Sequence, residues 1–237
     1  MNLLAIETAT ESCSVALLHG DALIDRSEMA PRRHAELVLP MAESLLSQAG
    51  IARSQLDAIA VGRGPGAFTG VRLAVSVVQG LALALDIPVL PISSLAALAR
   101  QAPRNGAAVL TVIDARRGEI YAGTFKKGTE EIKSRPDSIC PLSDECVVAA
   151  SSLVLPKADA WNVVGSGWHV YGRTIRERLP GPPLWADGRR YPQARDVARL
   201  AAPLFAEGKG VPPEQALPVY LRDKVALTLQ EQQDARS

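Results

Sequence analysis

The sequence predicts an α/β protein of two duplicated lobes, each with the element order β-β-β-α-β-α, because one set of features occurs twice in the same order. Three features return about one hundred residues later. They are a short apolar strand that ends in an acid (3–7 and 110–114), a second strand that ends in a glycine turn (14–20 and 120–128), and an apolar strand that leads into glycines (59–64 and 161–167). Three matches in order indicate an internal duplication. Two facing lobes of this kind form the actin/sugar-kinase/Hsp70-like architecture.

The elements of the first lobe follow from hydrophobic period and from the residues at their ends. Apolar runs on either side of the turn His19-Gly20-Asp21 predict a β-hairpin. Gly50 after an amphipathic run predicts a helix C-terminus, and we expect Thr69 to cap the next helix. The predicted elements are strands over 3–6, 14–18 and 22–28, a helix over 34–48, a strand over 57–62, a helix over 71–85 and a strand over 87–90.

The second lobe is expected to diverge from the first. A proline-rich loop over 180–192 interrupts the pattern before an amphipathic helix over 194–206. We place the N-terminal lobe at residues 1–103 and the C-terminal lobe at residues 104–229. The last residues, 230–237, are polar and are expected to be disordered.

Composition excludes several classes of protein. The chain of 237 residues is 47% apolar and 22% charged with a net charge of +1, which indicates a globular protein and gives no general attraction to nucleic acid. Its three cysteines lack metal-ligand spacing, so we expect reduced thiols. The start of the chain lacks the pattern of a signal peptide, and the apolar stretch 71–85 is broken by Arg72, Ser76 and Gln79. We therefore expect a cytoplasmic protein that does not span a membrane.

A glycine-rich segment, 62–72, stands at a predicted strand-to-helix junction. Glycines there let a backbone approach a ligand or another backbone closely, and a helix start favours an anion. The segment lacks the Gly-Lys-Ser/Thr of a Walker A loop, and its proline argues against a dinucleotide fingerprint. Three interpretations stay open: a structural turn, a degenerate phosphate loop and a working one. The candidate residues are Gly62, Gly64, Gly66, Thr69 and Gly70.

Two carboxylates, Glu7 and Asp114, end the first strands of the two lobes, where acids of this architecture reach a metal-bound nucleotide in the cleft. Thr8 follows Glu7 and belongs to the same candidate loop. The alternative is that each acid caps the following turn, with Asp114 also forming a salt-bridged turn with the arginines after it. The three histidines are far apart in sequence, so no metal site and no cofactor are expected, and no catalytic residue is assigned.

The two helices of the first lobe carry more apolar positions than one sheet contact requires. Each helix shows two apolar stripes, whereas a surface helix normally needs one. A second stripe indicates burial within the domain or against a partner, and glycine or alanine would let two helices approach closely. The residues predicted to form a helical interface are His34, Leu37, Met41, Leu45, Leu73, Val77, Gly80, Leu81 and Ala84.

Several motifs spread over nearly the whole chain resemble the bacterial TsaB (YeaZ) family. They are Leu4-Ala-Ile-Glu-Thr-Ala-Thr10, Arg33-His34-Ala-Glu36, Gly62-Arg-Gly-Pro-Gly-Ala-Phe-Thr-Gly-Val-Arg72, Ile113-Asp-Ala-Arg-Arg117 and Pro218-Val-Tyr-Leu-Arg222. The resemblance implies a role in making threonylcarbamoyladenosine (t6A) beside the anticodon of tRNA. It implies a heterodimer with the catalytic paralogue TsaD, joined by the ATPase TsaE, a homodimer when the chain is alone, and contact with tRNA only through the complex.

The sequence departs from TsaD-like proteins where their metal-binding histidines are expected. Ser94 and Leu98 occupy those places, and neither side chain can replace an imidazole as a ligand. The resemblance therefore implies a non-catalytic scaffold subunit. The alternative hypothesis is a nucleotide-dependent kinase or hydrolase that uses the Gly62 loop with Glu7 and Asp114.

Overall fold

The structure is a computed structural model that describes residues 1–128 and 138–222, so the predicted tail over 230–237 lies outside the described residues. The first half forms strands β1 (Asn2–Glu7), β2 (Ser12–His19), β3 (Ala22–Met29), β4 (Ala58–Gly62) and β5 (Val89–Ile92), and helices α1 (His34–Ala49), α2 (Phe68–Leu85) and α3 (Ser94–Ala99). The second half forms strands β6 (Ala108–Arg116), β7 (Glu119–Lys127), β8 (Ile139–Pro141), β9 (Cys146–Ala149), β10 (Trp161–Val164) and β11 (Trp185–Asp187), and helices α4 (Ser166–Arg176) and α5 (Ala194–Ala206).

The two halves build sheets of matching topology. The first sheet has the order β3-β2-β1-β4-β5, in which β1 is antiparallel to β2 and parallel to β4. The second has the order β11-β10-β6-β7-β8, in which β6 is antiparallel to β7 and parallel to β10. Each first strand therefore lies third in its sheet between the same kinds of neighbour. The duplicated actin/sugar-kinase/Hsp70-like fold class is confirmed.

The second half departs from the first at its third strand and at the helix that should follow. Two short strands, β8 and β9, both pair with β7 where the first sheet has the single strand β3. Residues 150–160 contain only the 3-10 helix Ala150–Ser152, in the place that α1 occupies in the first half. The expected first helix of the second lobe is therefore wrong. This stretch is short and holds Pro156, which cannot donate a helical hydrogen bond.

Helices from each half cover the sheet of the other. Helices α1 and α2 pack on one face of the first sheet, and α5, from the second half, covers the opposite face with Val197 and Ala201. In return α3 packs its wholly buried Leu95 and Leu98 against β6 and β7. Because of this exchange the two halves share their cores. The lobe boundary at 103 stays a prediction.

Helix α2 begins three residues earlier than predicted. Its N-cap is Ala67, whose carbonyl accepts from the amide of Val71 at 3.0 Å, and Thr69 lies in the first turn instead of capping it. The predicted cap at Thr69 is wrong because the bond from the Ala67 amide to the carbonyl of Ala9, 2.7 Å long, already fixes the entry of the chain. The C-terminus of α1 agrees with the prediction, since its C-cap residue Gly50 has the left-handed conformation with φ of 67°.

By length and composition α2 is the one helix among the described residues that could cross a membrane, contrary to our expectation that this stretch is too short and too polar. A third of it is buried inside the protein, where Ala74, Val78 and Ala82 are wholly covered by the first sheet and its neighbours. Length and apolar character are also properties of a core helix, so these features do not assign α2 to a membrane.

Candidate functional site

The glycine loop between β4 and α2 lies directly against the loop that follows β1. The hydroxyl of Thr8 donates to the carbonyl of Gly70 at 2.7 Å. A Cβ atom added to Gly70 would lie 2.1 Å from the carbonyl oxygen of Thr8, and one added to Gly66 would lie 2.2 Å from that of Ala9. Neither position has room for a side chain. These two glycines allow two backbones to touch, which is the structural interpretation of the loop.

Glu7 is turned into the protein and has no exposed surface. Its carboxylate accepts hydrogen bonds from the amide of Ala9 and from the hydroxyl of Ser94, each at 2.7 Å. A Cβ atom at Gly62 would lie 2.0 Å from Glu7 Oε2, so this glycine makes room for the buried acid. Burial raises the pKa of the Glu7 carboxyl, although the hydrogen bonds from Ser94 and the backbone act in the opposite direction. Glu7 is therefore held inside the protein and accepts from the turn that follows it, which agrees with the alternative that it caps this turn.

Asp114 lies near the end of β6 and is engaged on both carboxylate oxygens. Oδ1 accepts from the amide of Arg116 at 2.8 Å and from the hydroxyl of Tyr171 at 3.2 Å, and Oδ2 pairs with Arg116 Nη1 at 2.9 Å. The same guanidinium reaches Glu11 of the first half at 2.8 Å. Only 7% of the Asp114 side chain is exposed. The arrangement is a salt-bridged turn that also joins the two halves.

A C-terminal strap, residues 211–222, crosses from the first sheet to the second. It starts at an isolated bridge between Val211 and Val89, the edge strand β5. The amide of Val219 then donates to the carbonyl of Arg63 at 2.9 Å, within the glycine loop. At its end Arg222 donates to the carbonyl of Ala115 at 3.0 Å and to the carboxylate of Glu119. The strap therefore lies over the glycine loop and ties it to the β6–β7 hairpin.

Aromatic rings fix the middle of the strap to α2. The Arg72 guanidinium stacks over the Phe68 ring at 3.6 Å from its centre and donates to the Tyr220 hydroxyl at 2.5 Å. The rings of Phe68 and Tyr220 are 5.6 Å apart and are both about half exposed. Beneath them a cavity of about 250 Å³ is left between the halves. That volume is below the range usual for small-molecule sites, roughly 300–1,000 Å³. A second depression beside it, which Glu11, Gly70 and Arg116 help to line, has a volume of about 470 Å³ and lies within that range.

The positions that replace the expected metal ligands are both enclosed. Ser94 is buried and bonded to Glu7, and Leu98 is fully buried in the core beside β6. Among residues 1–128 and 138–222 no group of three or more His, Cys, Asp or Glu side chains is arranged to hold a metal ion. The three cysteines, all within this range, are free thiols.

The α1–α2 face contains most of the residues predicted to form an interface. Leu37, Met41, Leu73, Val77 and Leu81 are partly buried, Gly80 and Ala84 are exposed, and His34 bonds through Nε2 to the carbonyl of Thr10 at 2.9 Å. Leu45 is the exception, since it is wholly buried in the protein's own core and presents no surface to a partner. The prediction missed two exposed leucines of these helices, Leu39 at 45% and Leu83 at 73% exposure.

The fold and the site together define an actin/sugar-kinase-like protein whose interlobe cleft is narrowed by its own C-terminal strap and whose first two helices present an apolar face. The family described as "TsaD: tRNA N6-adenosine threonylcarbamoyltransferase" matches residues 27–156. The "tRNA threonylcarbamoyladenosine biosynthesis protein TsaB" of Escherichia coli (strain K12) is 39% identical over 95% of this chain and 96% of its own length. The chain belongs to the TsaB (YeaZ) family, as its sequence motifs predict.

Further relatives agree in sequence and in structure. The Haemophilus influenzae protein of the same name is 33% identical over 95% of each chain. The solved structure "YeaZ from Pseudomonas aeruginosa" is 45% identical, superposes with a TM-score of 0.83, and covers 93% of this chain and 99% of its own. The similarity therefore extends over both halves of the fold.

Proposed function

We propose that this chain is a non-catalytic subunit in the biosynthesis of t6A in tRNA, and that it pairs through its α1–α2 face with a TsaD-like paralogue. A TsaE-like ATPase joins the pair, and tRNA is bound through the complex in the cytoplasm. The names of the relatives support the pathway. The observation that carries the partner role is an apolar helix face beside a cleft whose acids and loop glycines are engaged by the chain itself. Without the paralogue, the same face pairs two copies of this chain.

Gly80 supports the helix-to-helix contact. Glycine inside a helix costs about 1 kcal/mol relative to alanine, and a Cβ atom at Gly80 would have no neighbour within 4 Å. The described chain therefore gives no steric reason for a glycine at this position. A partner helix that packs against the α2 backbone at Gly80 and Ala84 supplies one. Leu83 lies three positions after Gly80 and directly before Ala84. Its exposed side chain offers the apolar area that such a contact buries.

The cleft supports a partner role over the alternative of a nucleotide-dependent enzyme. Glu7 is buried, Asp114 is paired with Arg116, and a side chain at Gly66 or Gly70 would meet the backbone of the loop that follows β1. Calorimetry of the isolated chain with ATP and magnesium separates the two hypotheses. We expect no binding below about 1 mM, which is roughly −4 kcal/mol, and no turnover. Sub-millimolar binding with turnover would establish the enzyme instead.

The partner role is tested by placing a charge on the α1–α2 face. Val77→Glu and Leu73→Glu put a carboxylate where an apolar contact is expected, while both side chains keep access to water in the isolated chain. The matched control is Val170→Glu, a half-exposed valine on α4. Each variant is mixed with TsaD, TsaE, the adenylate-forming enzyme and tRNA, and both co-purification and t6A are measured. We expect both to be lost with the first two variants and kept with the control. If Val77→Glu and Leu73→Glu still co-purify with TsaD and still support t6A formation, the interface lies elsewhere.

A further inference from the structure

A groove of about 970 Å³ lies on the second half of the chain, separate from the interlobe cleft and from the α1–α2 face. Its lining residues come from the amino end of β6, the segment 153–160 and the segment that follows α4, with Lys126 of β7 and Leu142 after β8. Ala108, at the start of β6, lines the groove, whereas Asp114 of the cleft stands near the opposite end of the same strand. A ligand in the groove therefore leaves the α1–α2 face accessible.

The floor of the groove is apolar and belongs to the core. Leu153 and Leu179 are 2% and 7% exposed and belong to the same core cluster as Trp161. The Arg178 guanidinium donates through Nε to the carbonyl of Leu153 at 3.0 Å and so joins the end of α4 to the segment 153–160. The amide of Leu184 donates to the carbonyl of Trp161 at 2.8 Å. These contacts fix the walls relative to the sheet, so the groove is preformed.

Large apolar side chains at the rim of the groove are exposed to solvent. Leu142, Val154 and Leu184 are 39%, 81% and 61% exposed. Apolar side chains exposed together around a concavity mark a binding surface, whereas single ones are ordinary. Burying apolar area contributes roughly 25 cal/mol per Å² of favourable free energy, so a partner that covers these side chains gains affinity.

The charges around the groove are mostly positive. Lys126, Lys157 and Arg178 are exposed at its edges, and Asp159 is the single acid among the described residues that line it. Neither lysine forms an ion pair with a carboxylate in the parts of the chain that the structure describes. This local excess of positive charge contrasts with the near-neutral chain as a whole, whose net charge is +1.

We propose that this groove binds an acidic amphipathic segment of a partner protein. Its apolar side chains cover Val154 and Leu184, and its carboxylates face Lys126 and Lys157. Nucleic acid is the less suitable occupant, because single-stranded nucleic acid binds through aromatic stacking and phosphate contacts, and no aromatic ring lines the groove in the part of the chain that the structure describes. The inference is independent of the proposed pairing through α1 and α2, since no residue of either helix takes part.

The test uses the full chain and a fluorescein-labelled helical peptide of glutamate, leucine and alanine with its leucines on one face. A matched peptide has lysine in place of every glutamate. Fluorescence anisotropy is expected to show saturable binding of the acidic peptide that weakens as salt is raised, and no binding of the basic one. Val154→Asp places a charge on the apolar rim and is expected to weaken binding roughly tenfold or more. Lys157→Glu is expected to weaken it as well.

The control variant is Val170→Asp, a half-exposed valine of the same half that does not line the groove, and it is expected to bind the peptide like the unchanged chain. Val154 is largely exposed, so its replacement leaves the fold intact, which circular dichroism checks. The proposal is overturned if the acidic peptide does not bind, or if Val154→Asp and Val170→Asp behave alike. It is also overturned if single-stranded RNA displaces the peptide and if Val154→Asp weakens the binding of RNA as much as that of the peptide. It is likewise overturned if Val154→Asp abolishes self-association, because the groove would then be a contact between two copies of this chain.

Discussion

Ser94 donates a hydrogen bond of 2.7 Å to the carboxylate of Glu7, which is wholly buried between the glycine loop and α3. The serine stands where TsaD-like proteins are expected to carry a metal-binding histidine, and the acid stands where the fold class places a cleft carboxylate. In this chain the two side chains bind each other. A pair that could have formed part of a reaction site therefore serves to join the end of β1 to the start of α3.

The charge on Glu7 makes stability depend on pH. Burial raises the pKa of this carboxyl above its ordinary value of 4.5, so between that value and the raised pKa the folded chain holds a proton that the unfolded chain has lost. The free energy of unfolding therefore falls as pH rises through this window and stays low above it. Glu7→Gln keeps the shape without the charge. We expect urea denaturation to show the variant more stable than the unchanged chain at pH 7.5, with the difference vanishing near pH 4.

The opposite result at pH 7.5 would mean that the hydrogen bonds from Ser94 and Ala9 stabilise the charged form by more than burial destabilises it. Ser94→Ala is the companion variant. It removes one hydrogen bond that lowers the pKa of Glu7, so we expect its free energy of unfolding to fall over a wider pH range, and by more in total, as pH rises.

Two glycines of α2 are expected to respond in opposite ways to the same replacement. A Cβ atom at Gly70 would lie 2.1 Å from the carbonyl oxygen of Thr8, so Gly70→Ala forces the backbone apart and should cost about 2–4 kcal/mol of unfolding free energy. Gly80→Ala meets nothing within 4 Å and should gain up to about 1 kcal/mol from helix propensity. Thermal unfolding of the two variants measures the contrast. Equal effects at the two sites would show that the glycine loop is not closed as described.

A larger side chain at Gly80 distinguishes an effect on the stability of the fold from an effect on the proposed interface. Gly80→Leu is expected to leave the thermal stability of the isolated chain unchanged or raised, because the position is open to water. It should also weaken pairing with TsaD, and self-association, by roughly tenfold or more, because two helix backbones could no longer approach there. Analytical ultracentrifugation of the variant alone and with TsaD gives both values. Undiminished pairing would remove the reason offered here for a glycine at this position.

The parts of the fold that the sequence predicted are those with a strong local pattern. Helix α5 has the predicted bounds, and β1 to β4, α1 and α2 lie within a few residues of their predicted limits, because apolar period, turn glycines and caps act over short distances. Helix α3 was missed because it is six residues long and follows β5 almost directly. Leu45 was placed in the interface because two apolar stripes on a helix do not indicate which one meets the sheet.

The closed cleft could not be predicted from local pattern. The strap has no period, and single contacts between residues far apart in sequence hold it, such as Arg72 with Tyr220, which are 148 positions apart. The glycine spacing likewise left open whether the loop faces a phosphate or another backbone. That question depends on the path of the chain at Thr8 and Ala9, in the loop that follows β1. Only the family motif over 218–222 indicated that the end of the chain takes part.

The attachment of the strap to the second half depends on Arg222. Its guanidinium donates to the carbonyl of Ala115 and to Glu119, and hydrogen bonds from a charged donor contribute about 1.5–3 kcal/mol. Arg222→Ala should let the end of the strap open locally without unfolding the core, because Ala216, the strap residue in the core, lies six positions before Arg222. We therefore expect the amide of Val219, bonded to the carbonyl of Arg63, to exchange its hydrogen roughly tenfold to a hundredfold faster.

Arg26→Ala is the matched control for this measurement, because Arg26 is an exposed arginine of β3 that bonds to Gln48 and does not contact the strap. Hydrogen exchange followed by NMR resolves the two variants at single amides, and core amides such as that of Ile59 should keep their protection in both. If the Val219 amide exchanges at the same rate in Arg222→Ala as in Arg26→Ala, Arg222 does not hold the strap. The strap would then be held by its other contacts, which include the stack of Phe68, Arg72 and Tyr220 and the hydrogen bond from Gln79 to the carbonyl of Ala216.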